Sequence, residues 1–183
     1  MNYSKKLAYH LLKDTFIGET IYPLNLLKEI HPEIYSFEIK KYIGREKLMC
    51  VRNPILNCLW NDVIQFTCLD PRLTLRAVKA YSPKIAGKMY KIFSLDLSKI
   101  DNLKACLFTP SENLIQHEHL DYQYEFFDLS HFENLSCVPE EQIERWKHNI
   151  ENNNPVLLWS RTKHFFYKSP IDLSEGEISE FEV

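Results

Sequence analysis

Glycine is nearly missing from this chain, with four residues in 183. That scarcity excludes glycine-rich phosphate loops, collagen-like repeats and flexible glycine linkers. No run approaches the roughly 18 apolar residues needed to span a bilayer, so no membrane partner is expected. The opening MNYSKKLAYHLLKD has only a short, interrupted apolar stretch, which is not the pattern of a secretory signal. Five cysteines are present, an odd number, and none pair as CxxC. Disulfides and a thiolate metal clamp are therefore not expected, and a reducing, cytoplasmic setting is the natural reading. The net charge is −3, too small and of the wrong sign to draw the chain to nucleic acid.

Hydrophobic residues make up 45% and charged residues 26%, the balance of a chain that buries a core. The charge is unevenly spread. Six bases and no acid lie between Arg72 and Lys91, whereas five acids and no base occupy the last fifteen residues. Arg72, Arg76 and Lys79 share one face of a helix by their spacing, a face suited to phosphate or to an acidic partner.

The periodicity predicts strands over Lys6 to Leu12, Asp62 to Leu69, Met89 to Leu97, Ala105 to Thr109 and Tyr122 to Leu129. Two late strands are expected at Val156 to Trp159 and Lys163 to Lys168, and an edge strand at Ile178 to Val183. Helices are expected after Pro23, from Pro32 to Gly44, from Pro71 to Tyr81, and from Pro139 to Asn152. Strands and helices mix without a regular βαβ rhythm, which predicts one α+β domain with a mixed or antiparallel sheet.

Several residues suggest chemistry. Trp60, Asn61 and Asp62 offer a stacking surface, an amide and a carboxylate at a strand mouth, a set suited to a flat polar ligand. The competing expectation is that Trp60 fills the core while Asn61 and Asp62 make a turn. His10 lies in the first apolar strand, and Arg45 follows a helix end as a candidate anion clamp. Cys58 with a distant His164 could form a thiol hydrolase. His117, His119 and Glu125 are spaced for a metal, but no third histidine follows, and no metal is expected.

The segments YHLL, IYPLNLLKE, KKYIGRE, PILNCLWNDVIQF and HFFYKSPID resemble the group-specific proteins of Bacillus and its relatives, a resemblance that implies no activity. The order of pieces is also similar to ADP-ribosyltransferase folds of the His-Tyr-Glu type. That resemblance implies an NAD-dependent glycosyl transfer. His10 would orient the ribose, Tyr22 or Trp60 would stack on nicotinamide, and Glu125 would support the developing charge. Arg45, Asn61 and Asp62 would complete the NAD site. The glycine that usually follows the first-strand histidine of that family is absent. SEGEISEFEV resembles the glutamate-rich tails of some secreted bacterial effectors, although an acidic edge strand explains the same residues. Three readings follow: an NAD-using transferase, a non-enzymatic protein-interaction or effector domain, and a Cys58 hydrolase. The partner is a small molecule in the first and a protein in the second.

Overall fold

The computed structural model describes residues 5–13, 16–82, 85–110, 123–154, 156–159 and 162–183. Its strands are β1 (Leu7–Leu12), β2 (Thr20–Ile21), β3 (Arg52–Asn53), β4 (Cys58–Leu59), β5 (Ile64–Thr67), β6 (Met89–Asp96), β7 (Ala105–Thr109), β8 (Gln123–Phe126), β9 (His164–Tyr167), β10 (Ile171–Asp172) and β11 (Glu177–Glu182). The α-helices are α1 (Leu24–Ile30), α2 (Pro32–Glu38), α3 (Pro71–Lys79) and α4 (Glu140–Glu151). The fold is α+β, a single domain built on a seven-stranded sheet in the order β11-β6-β1-β5-β9-β7-β8. Every ladder in that sheet is antiparallel.

The middle of the sheet is buried on both faces. Along β9, Phe165 and Tyr167 enter one apolar cluster with Phe66, Phe93 and Leu107. Phe166, pointing the other way, enters a second with Trp60, Leu24, Tyr42 and Phe108. A strand that faces apolar matter on both sides needs no polar residue at every second position. This is why ACLFT and HFFY read as continuous apolar runs. The second cluster is roofed by α1, by α2 and by the tight helical turns at Ile39–Tyr42 and Glu46–Cys50.

Helix boundaries follow local chemistry. Asp70 caps α3 by accepting the Arg72 N–H at 2.9 Å, and Pro71 supplies the preset first turn. Pro32 opens α2 in the same way. The expected helix up to Gly44 divides: α2 ends at Glu38, and a tighter 3₁₀ turn carries the chain to the buried Tyr42. Gly44 then reverses the chain at φ +77°, a conformation glycine adopts without strain.

One expected strand is corrected. Residues 156–159 are not a strand, and Leu158 and Trp159 lie in a turn. The Leu157 carbonyl is taken by α4 instead, accepting from Gln142 Nε2 at 3.1 Å and from the buried Trp146 Nε1 at 3.0 Å. Side chains of the helix thus supply the bonds a neighbouring strand would have supplied.

Two of the three bases on the α3 face, Arg72 and Arg76, have partners within the chain. Arg72 forks onto Asp70, and the Arg76 guanidinium lies over the Phe181 ring at 5.2 Å. Among the described residues no helix is long and apolar enough to cross a membrane.

Candidate functional site

The Asn57–Asp62 stretch forms a turn beneath α1. Leu59 closes β4, and the chain winds through a 3₁₀ turn at Trp60–Asp62. One oxygen of the Asp62 carboxylate accepts the Leu59 N–H at 2.7 Å, and the other accepts Asn25 Nδ2 at 2.6 Å. Asp62 therefore ties the turn to α1. It also borders a shallow cleft of about 280 Å³, walled by Pro23, Asn25, Leu26 and Glu29 on one side and Lys168, Ser169 and Pro170 on the other.

Trp60 has no free face. It is 9% exposed and stands edge-on to both Phe108 and Phe166 at 5.2 Å between ring centroids. Its indole also bonds Tyr42, whose hydroxyl burial pushes up to about 12. The stacking role expected of Trp60 is thus corrected, because a ring buried this far leaves too little open surface for a nicotinamide to lie on. Asn61 is buried as well, and its Oδ1 has no hydrogen-bond partner among the described residues. Tyr22 is half-buried beside the cleft residue Pro23 and packs edge-on against His31 at 5.9 Å.

His10 occupies a different place. The β1–β5 ladder registers only at Tyr9 and Thr67. Just beyond it, His10 Nδ1 donates to the Gln65 carbonyl at 3.0 Å, so the ring stands in for a ladder bond. A carbonyl cannot donate, which fixes Nδ1 as protonated and leaves Nε2 as the acceptor of the neutral ring. Burial holds the imidazole below its usual range, helped by the positive charges of Lys41 and Lys13 and opposed by the Gln65 carbonyl and Glu38. Lys41 is itself lowered, first by burial and then by Lys13 and Arg45. The Arg45 guanidinium donates to the Lys41 carbonyl, and Lys13 pairs with Glu38. His10 and Arg45 thus belong to one electropositive group. Its other members, Lys13 and Lys41, were not singled out in the sequence, where the adjacent Lys40-Lys41 was the only signal.

Glu125 belongs to neither place. The registers join it to Leu107, Leu107 to Phe165, and Phe165 to Phe66, while the Phe66 ring meets that of His10 at 5.6 Å. His10 and Glu125 therefore lie in one transverse row, four strands apart. At about 4.8 Å per strand, they are about 19 Å from each other. Glu125 sits on the exposed strand β8 with Lys163 at 3.6 Å. The expected catalytic pair is corrected: no single glycosidic bond can meet both groups.

Cys58 is 5% exposed, and burial raises its thiol above the ordinary value. Burial lowers His164 to about 4, and its ring packs against Phe108. All five cysteines are free. His117 and His119 lie outside the described residues, and among the described residues no cluster could hold a metal. Comparison with protein-family models, curated proteins and solved structures found no match.

Proposed function

We propose that this domain binds another protein and carries out no chemistry at the sites its sequence suggests. The observation that carries the reading is dispersal. Asp62 borders a cleft under α1, His10 and Arg45 share an electropositive group beside β1, and Glu125 lies four strands from His10. A catalytic site needs its acid, base and binding groups within hydrogen-bond reach of one reacting centre. Two depressions among the described residues, of about 280 and 380 Å³, support the reading too: they sit near or below the small end of the roughly 300–1,000 Å³ range of small-molecule pockets.

The NAD-using reading keeps one observation in its favour. Lys13 and Lys41 place positive charge beside His10, with Arg45 next to Lys41, as a pyrophosphate would require. Thermal denaturation with and without millimolar NAD decides between the two. Binding at 100 times the dissociation constant adds about 2.7 kcal/mol, which moves the midpoint of a domain this size by roughly 5–11 °C. The expected result is no shift. A rise that His10→Ala abolishes overturns the interaction reading and restores NAD.

A further inference from the structure

We propose that the outer edge of β11 accepts an extended, basic segment of a partner protein as an added strand. This rests on the protein-binding reading and names the surface and the partner chemistry.

Strand β11 is six residues long and ends the sheet, and among the described residues its ladder runs to β6 alone. The bonds at its end set its orientation. Val183 accepts the Gly87 N–H at 2.6 Å and donates to the Lys88 carbonyl at 3.1 Å, so its backbone groups face β6. In an antiparallel ladder successive residues present their N–H and C=O to opposite sides. The inward groups are therefore those of Glu177, Ser179 and Phe181, in keeping with the Glu177 carbonyl accepting from Ser94 Oγ. The outward groups are those of Ile178, Glu180 and Glu182. Three donors and three acceptors line the edge at about 6.8 Å intervals, the repeat an incoming strand presents.

The side chains beside that edge suit one kind of strand. Ile178 pairs with Phe93 and Glu180 with Lys91, which places both side chains on the face that holds a depression of about 380 Å³. Leu12, Phe16, Leu173 and Ile178 give it apolar walls. An added strand would lay every second side chain along this face. Charge selects the occupant. Glu177, Glu180 and Glu182 are exposed, and their pairs to Lys5 at 3.2 Å and Lys91 at 4.0 Å are surface contacts of little strength. A second β11 would set glutamate against glutamate, which is unfavourable across a ladder. A strand carrying Lys or Arg at alternate positions would find carboxylates opposite. Charged edges commonly serve only to prevent pairing. Here the same charges that repel a second copy attract a basic strand.

The probe is a fluorescent peptide of about nine alternating Lys and Val residues, long enough to span β11. A Glu/Val peptide is the control. On the full chain the Lys peptide is expected to bind saturably and more weakly as salt rises. Hydrogen exchange at Ile178, Glu180 and Glu182 should slow on binding. The E180K/E182K double variant should weaken binding by about tenfold or more, because like charges then meet. Glu180→Pro removes an outward N–H and leaves the β6 ladder intact, and it should weaken binding comparably while the circular dichroism spectrum stays native. Absence of binding, equal binding of the Glu peptide, or binding untouched by both variants overturns the proposal. The last outcome leaves the protein-binding reading standing, which falls instead if NAD raises the midpoint in a His10-dependent way.

Discussion

Gly176→Ala tests how tightly β11 is seated, and two opposing effects set its sign. Gly176 lies between the turn at Leu173–Glu175 and the start of β11. Its φ of −136° is ordinary extended backbone, so alanine brings no torsional strain there. On that ground alone the substitution would stabilise by about 0.4–1 kcal/mol, by restricting the unfolded chain. The packing argues the other way. A Cβ at this position would lie 2.5 Å from Phe93 Cε2, 2.6 Å from its Cζ and 2.5 Å from the Ser94 carbonyl oxygen. Phe93 is fully buried, and Ser94 is fixed in the β6 ladder, so neither gives way cheaply. Overpacking of this kind costs about 1–3 kcal/mol. Contacts of 2.5–2.6 Å put the clash in the upper part of that range, about 2–3 kcal/mol, and it wins, leaving a net destabilisation of about 1–2.6 kcal/mol. At about 2–4 °C per kcal/mol, the midpoint should fall by about 2–10 °C. Differential scanning calorimetry reads this directly. An unchanged or raised midpoint would refute the close approach of β11 to Phe93, and with it the seating of the edge strand.

Three further outcomes follow from burial. Trp146→Ala should cost about 3–5 kcal/mol in urea denaturation, whereas Trp146→Phe should cost much less because Gln142 still donates to Leu157; equal losses would show that the indole bond dominates. In native protein two thiols, Cys50 and Cys137, should react readily with iodoacetamide, while Cys58, Cys68 and Cys106 should react only on unfolding. Burial pushes Cys68 up to about 12 and Cys106 to about 11, and fast labelling of Cys58 would revive the thiol reading. Burial lowers His164 from 6.5 to about 4, so as pH falls through that window the unfolded chain takes up a proton that the folded chain refuses. The stability it contributes is whole above pH 6.5 and is lost towards pH 4, and His164→Phe should flatten the fall in midpoint between pH 7 and 5. A variant that keeps the full slope would place its origin elsewhere.

The fold was legible wherever burial acts on one face or chain chemistry is local. The Asp70-Pro71 cap, the α4 stripe of Ile143, Trp146 and Ile150, and the alternating ISEFEV all imprint a period or a boundary. Residues 156–159 were not legible in this way: VLLW carries a strand's composition, while the partners of its Leu157 carbonyl are side chains of α4 fixed only by tertiary packing. Trp60 misled for a related reason. An aromatic beside Asn and Asp looks like a ligand platform, but the rings that claim it, Phe108 and Phe166, come from β7 and β9, far along the chain.

The distance between His10 and Glu125 shows why site assembly is the hardest step to read. Each residue sits in a segment of the expected type, a first strand and a later one. Segment type says nothing about lateral order. In a sheet ordered β11-β6-β1-β5-β9-β7-β8, the late strand β9 inserts between β5 and β7 and pushes Glu125 to the far edge. The insertion has an apolar cause: Phe165 and Phe166 are both fully buried, and only a central position clothes both faces of β9. The same demand sends the glutamate-rich β11 to the opposite edge, where its charges remain in water. The pattern of two-sided and one-sided burial therefore sorts the strands, separates the expected catalytic pair, and puts the acidic β11 at an edge of the sheet.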